Sequence, residues 1–98
     1  MWVLETTDDS TADRVTFRLP DGSVKTIGRS TGAELILDAA LVSRLHCQLS
    51  AGGGALQVKD LDSTNGTFVN GKRITSAQLQ PGDRLGVGRV ELSVSRKD

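Results

Sequence analysis

Cysteine and histidine occur once each in this chain, at Cys47 and His46. One thiol cannot close an internal disulfide, and one thiol with one imidazole cannot build a structural zinc site. Tyrosine is absent, and one tryptophan and two phenylalanines are the only aromatic residues, so the core must be aliphatic and hold by packing alone. No run of about 18 apolar residues exists to form a membrane-spanning helix. The start, Met1-Trp2-Val3-Leu4-Glu5, is too short and too soon acidic for a signal peptide, so a soluble, cytoplasmic protein is expected. Neither sign of charge dominates: lysine plus arginine and aspartate plus glutamate both number 12. With no net field to gather nucleic acid or an anionic membrane, neither is expected as a partner, and any bound anion must be caught by local geometry. Low-complexity segments and internal repeats are also lacking, and 98 residues suit a single domain spanning 1–98.

What is present is turn chemistry: eleven glycines against two prolines. Pro20-Asp21-Gly22-Ser23, Ala51-Gly52-Gly53-Gly54, Asn65-Gly66, Asn70-Gly71 and Pro81-Gly82-Asp83 punctuate the chain. Between them the apolar period is two. Val15, Phe17 and Leu19 alternate with Arg14, Thr16 and Arg18, and Val90, Leu92 and Val94 alternate with Glu91, Ser93 and Ser95, the pattern of half-buried strands. Shorter strands are predicted at 2–6, 24–28, 46–50, 55–60, 67–69 and 84–87. Residues 33–45 are rich in alanine, leucine and glutamate, which favours helix by propensity. Their apolar residues keep no stripe at three-to-four spacing and Gly32 is a poor cap, so the segment reads as a strand at 34–37 followed by a loop over 38–44. The expected fold is all-β, a sandwich of two antiparallel sheets.

Three clusters depart from the alternation, each at a strand end: Gly28-Arg29-Ser30, Ser43-Arg44-Leu45-His46 and Ser63-Thr64-Asn65-Gly66-Thr67. Loops of a sandwich gather at its ends. If these three meet, guanidinium groups, hydroxyls, an amide and backbone N–H groups surround one spot. That inventory suits a phosphate ester, which carries about −1.5 to −2 charge and three strong acceptor oxygens and matches the planar donor fork of arginine.

Gly-Arg at 28–29, Ser-Arg-x-His at 43–46, Ser-Thr-Asn-Gly-Thr at 63–67 and Asn-Gly at 70–71, in this order and spacing, resemble the signature of the forkhead-associated (FHA) domain from about residue 24 to 92. The resemblance implies an FHA/SMAD-like sandwich of about eleven short strands that binds phosphothreonine in an extended peptide, downstream of a Ser/Thr protein kinase, as a monomeric, non-catalytic module without cofactor or metal. Carried onto this sequence, it implies that Arg29, Ser43 and Thr64 bind the phosphate, Thr64 through its hydroxyl or its backbone N–H. Asn65 would hold the peptide main chain, Arg44 would add a phosphate or peptide contact, and Gly28, His46 and Gly66 would support the loops. It further implies that Leu41 and Val42, in the loop before Ser43, read the third residue after the phosphothreonine, tolerating an aliphatic side chain there and offering no attraction for aspartate.

Each reading has a plainer alternative. Arg29 can be a solvated surface arginine, and Thr64 with Asn65 a turn without ligand. His46 reads as a hydrogen-bonded structural residue, and Cys47, in the period of Leu45 and Leu49, as a small core residue; neighbours on a strand point to opposite faces, which speaks against a Cys–His catalytic pair. The stretch 28–32 lacks the spacing of a nucleotide-binding loop. A phosphate-independent interaction or oligomerisation scaffold on the same fold stands as the alternative function. Glu5-Thr6-Thr7 before Asp8-Asp9 looks like a kinase target, and some similar bacterial proteins are silenced through such a threonine. Here it closes the first strand with no flexible tail ahead of it, so self-inhibition is not expected. The end at Ser95-Arg96-Lys97-Asp98, directly after a strand, reads as a domain cut from something larger or as one end of it.

Overall fold

The computed structural model describes residues 1–7 and 14–97, and they form strands, turns and loops with no helix. Eleven strands follow in order: β1 Trp2–Thr6, β2 Thr16–Leu19, β3 Val24–Gly28, β4 Leu35–Ile36, β5 Cys47–Gly52, β6 Ala55–Asp60, β7 Thr67–Val69, β8 Lys72–Ile74, β9 Ser76–Leu79, β10 Arg84–Val87 and β11 Val90–Arg96. They make a six-stranded sheet, β2-β1-β11-β10-β7-β8, and a five-stranded sheet, β4-β3-β5-β6-β9.

The period-two residues become the two inner faces. Leu4, Phe17, Leu19, Leu85, Val87, Leu92 and Val94 from the first sheet meet Ile27, Cys47, Leu49, Leu56, Val58 and Leu79 from the second in one continuous core, and burial of this aliphatic surface drives the collapse. Trp2 closes the core at the end where the chain starts: its ring is buried, and the Arg96 guanidinium lies 5.5 Å from its centroid.

The all-β sandwich is as expected, with five departures. β4 pairs with β3 in parallel, Ile27 opposite Leu35 and Gly28 opposite Ile36, so the second sheet is mixed. The strand expected at 34–37 shrinks to these two residues, and β5 starts at Cys47 and runs to Gly52. β8 and β9 went unrecognised in the residue pattern, because Lys72–Ile74 contains no buried residue and Ser76–Leu79 only one, Leu79. Leu45 does not share the burial of Cys47 and Leu49: it is 48% exposed.

Thr6 is buried and its hydroxyl accepts from the Val15 N–H, while the Thr7 hydroxyl donates to Glu91 Oε1 at 2.9 Å. A kinase would have to dislodge Thr6 from the sheet. Asp8 and Asp9, the acidic half of that motif, lie outside the described residues.

Strand register decides which loops meet. Ile27 pairs with Cys47 and Cys47 with Asp60, so the end of β3, the start of β5 and the end of β6 stand side by side. Across the sandwich, Thr67 pairs with Val87 at the start of β7 and end of β10, and the Gly88 N–H donates to the Gly66 carbonyl at 3.2 Å. All three polar clusters therefore emerge at one end. The chain termini sit at the other, where the Met1 amino group donates to the Lys97 carbonyl at 3.0 Å and Trp2 pairs with Arg96.

Candidate functional site

The site is built on a close backbone approach. A Cβ on Gly28 would overlap the Arg44 carbonyl, so only glycine lets the 43–45 segment lie directly on the end of β3. That contact is stitched by Arg29 N–H to Ser43 O at 2.9 Å, Ser30 N–H to Arg44 O at 3.3 Å and His46 N–H to Ile27 O at 2.8 Å.

His46 ties this segment to the next loop. Its Nδ1 accepts from the Ser43 N–H at 3.0 Å, which fixes the tautomer, so Nε2 carries the hydrogen and donates to the Gly66 carbonyl at 2.8 Å. The ring is fully buried with both nitrogens engaged. Cys47 beside it is buried too. The two are therefore not divided between an inner and an outer face, because His46 precedes the strand and turns into the gap between loops. Burial, aided by the Asp60 charge, pushes the Cys47 thiol up to about 12, which leaves no thiolate nucleophile near neutrality.

The 61–66 loop is shaped by Asp60, a residue the sequence reading passed over. Asp60 Oδ1 accepts from the Ser63 hydroxyl at 2.5 Å and the Thr67 hydroxyl at 2.7 Å, and Oδ2 accepts from the Ser63 N–H at 3.2 Å. Burial alone would raise its carboxyl, but these hydrogen bonds from Ser63 and Thr67 outweigh it and hold the group below the usual carboxylate range. The Ser63 hydroxyl in turn accepts from the Gly66 N–H at 3.1 Å. Gly66 has φ +95°, and a side chain there would press on the Phe68 ring and the Arg73 guanidinium. The signal that could have located Asp60 was its spacing, three residues before Ser63 and seven before Thr67, which suits an Asx-type cap over a loop.

On this frame Arg29, Ser30, Ser43, Arg44, Leu45, Asp62 and Thr64 line one open depression. The Arg29 Nε donates to the Val42 carbonyl at 3.0 Å, which anchors the guanidinium. Its terminal nitrogens have no partner among the described residues. The Ser43 hydroxyl oxygen accepts from the Thr64 N–H at 3.1 Å and keeps its own hydrogen to donate. The backbone N–H of Thr64 is thereby occupied, so its side-chain hydroxyl is the group it can offer a ligand. Asn65 donates from Nδ2 to the Leu41 carbonyl at 3.2 Å, outside the depression's lining but next to it, and its amide oxygen has no partner among the described residues. Arg44 is exposed on the depression. Gly28, His46 and Gly66 lie beneath. Of the two residues expected to read the peptide, Val42 is 2% exposed and belongs to the core; Leu41 alone reaches the surface. Sequence reasoning missed Leu45 and Asp62 as part of the lining. No group of three His, Cys, Asp or Glu residues suited to a metal occurs among the described residues.

Comparison with known proteins agrees with this geometry. The FHA domain family model matches residues 25–88. The chain is 39% identical over 79 residues to the ABC transporter ATP-binding/permease protein Rv1747 of Mycobacterium tuberculosis, covering 81% of this chain and 9% of that protein. It is 38% identical over 74 residues to the glycogen accumulation regulator GarA of Mycolicibacterium smegmatis, covering 76% of this chain and 47% of that one. The chain thus spans less than half the length of these two relatives. Among solved structures, one described under phosphothreonine-dependent FHA domain interactions superposes with a TM-score of 0.87 at 33% identity, covering 99% of this chain and 97% of the other. An end-gathered set of three loops tied by His46 and Asp60, on a sandwich matched over two sheets and across the signature motifs, places this chain in the FHA domain family.

Proposed function

We propose that the chain is a phosphothreonine-peptide-binding module that mediates phosphorylation-dependent protein–protein interaction downstream of a Ser/Thr protein kinase. One observation carries the reading: the terminal nitrogens of Arg29, the hydroxyl hydrogen of Ser43 and the hydroxyl of Thr64, from three different loops, have no partner among the described residues and face a single depression, while their backbones are locked in place. A phosphate there accepts charge-assisted hydrogen bonds from donors already positioned, with little ordering left to oppose binding. Asn65, with its free amide oxygen, takes the peptide main chain, and Arg44 adds positive charge at the edge. Three or four such hydrogen bonds, each about 1.5–3 kcal/mol net, less the cost of ordering a peptide, give a micromolar to sub-micromolar complex, near about −8 to −9 kcal/mol.

The module catalyses nothing: the lone imidazole is engaged at both nitrogens and the lone thiol is buried and protonated. It works as a single monomeric domain over 1–98 in the cytoplasm, without cofactor, metal, nucleic acid or membrane. No helix among the described residues is long and apolar enough to cross a membrane.

Calorimetric titration with a phosphothreonine peptide, its phosphoserine and unphosphorylated counterparts, and wild type against Arg29→Ala tests the reading. Binding confined to the phosphothreonine peptide and lost in Arg29→Ala is expected. Binding indifferent to phosphate, or surviving in the variant, would overturn it in favour of a phosphate-independent scaffold.

A further inference from the structure

Asp62 is at odds with the rest of the depression. It sits in the left-handed region at φ +57°, a conformation that glycine adopts freely and aspartate only tolerates. It is exposed, it lines the same depression as Arg29, Ser43, Arg44 and Thr64, and its carboxylate forms no ion pair or hydrogen bond among the described residues. Its neighbours are fixed: the Leu61 N–H donates to the His46 carbonyl at 2.9 Å and Ser63 is clamped by Asp60. The backbone that carries the carboxylate is therefore held at the edge of the proposed anion site. Left as it is, it repels a bound phosphate and gains nothing from the arginines nearby. The arrangement makes physical sense when the ligand itself brings a cation.

We propose that Asp62 is a specificity-determining residue that selects phosphothreonine segments carrying an arginine or lysine close to the phosphothreonine and disfavours those with an acidic residue there; this rests on the phosphothreonine reading of the depression. An extended peptide advances about 3.3 Å per residue, so a long basic side chain within two or three residues of the phosphothreonine reaches the carboxylate while the phosphate stays on Arg29. The phosphate supplies the affinity, and Asp62 supplies a difference between partners, favouring one flank by attraction and rejecting the other by like charge.

Fluorescence anisotropy with phosphothreonine peptides tests this, using alanine flanks replaced singly by arginine or by glutamate, on wild type and Asp62→Asn. Asparagine tolerates the same backbone region and removes only the charge; Asp62→Gly, which relieves the backbone altogether, guards against a folding defect in the first variant. Wild type should bind an arginine-bearing peptide about two- to fivefold more tightly than the alanine one at one or two flanking positions, as an exposed ion pair allows. Both variants should lose that preference while binding the alanine peptide at least as well. Absence of an arginine preference in wild type, or its persistence in both variants, would refute the role of Asp62. Failure of every phosphothreonine peptide to bind wild type would remove the underlying reading, and this inference with it.

Discussion

At the scale of single residues, the site depends as much on what is missing from Gly28 as on what Arg29 provides. The overlap of an added Cβ with the Arg44 carbonyl is with backbone, which cannot swing aside as a side chain can. Gly28→Ala must push the 43–45 segment away from β3 and lengthen the Arg29–Ser43 and Ser30–Arg44 bonds. It should lower unfolding free energy by about 1–3 kcal/mol, the range for forced backbone shifts, and weaken phosphopeptide binding although no ligand-contacting side chain has changed. Urea unfolding and peptide titration on the same variant check both halves; an unaltered affinity in a folded Gly28→Ala protein would contradict it. Residues of this kind were legible in sequence as glycines at motif positions, but the reason for them was not, since a close approach between segments 16 residues apart leaves no mark on local pattern. Asp62 shows the opposite failure: it reads as one more surface acid until its dihedral angle is known.

At the scale of elements, the strands with a buried alternating face were readable almost to the residue. β1, β3, β6, β7 and β10 have the bounds that pattern alone gives. β8 and β9 were invisible because their pairing is made by backbone hydrogen bonds to β7 and β6, and their side chains point mostly to water. The 61–66 loop has no repeating pattern, yet it is as fixed as a strand through Asp60. Replacing that carboxylate by an amide in Asp60→Asn keeps the shape and discards the charge assistance to Ser63 and Thr67, both of them buried. A loss of about 1–2 kcal/mol near pH 7 is expected. The pH sign follows from the carboxyl being held below its ordinary range: wild-type Asp60 contributes stability above the unfolded-state value of about 4, and that contribution fades as pH falls through the lower folded-state value. Urea melts of wild type and Asp60→Asn should therefore differ clearly at pH 7 and converge in acid; a gap that widens on acidification would refute the assignment.

At the scale of the whole molecule, both sheets contribute to one aliphatic core, so exposing its centre is expected to require the sandwich as a whole to unfold. Cys47 is the natural reporter of this. Its thiol lies in the core, and burial pushes its ionisation up to about 12, so both access and thiolate are denied in the native state. Iodoacetamide at pH 8 should leave the folded protein unmodified and label it only as urea unfolds the sandwich, with the labelling midpoint coinciding with the loss of tryptophan signal from Trp2. Mass spectrometry showing rapid labelling under native conditions would mean a local opening near the binding loops. A balanced net charge is compatible with the proposed anion site: Arg29 and Arg44 stand together at one end of the sandwich, and screening over about 8 Å at physiological salt keeps their field local.

The adjacency of the first and last strands also has a mechanical meaning. Trp2 faces Arg96 and Thr6 faces Leu92 in one antiparallel ladder whose bonds run across the strands, so tension drawn through the two ends of the chain loads those bonds one pair at a time, as a zipper opens. Peeling begins beside Met1 and Lys97 and reaches the bond from the Thr7 N–H to the Glu91 carbonyl last. Under pull the molecule yields first at the pole farthest from Arg29, and the three loops around the depression outlast the start of its rupture.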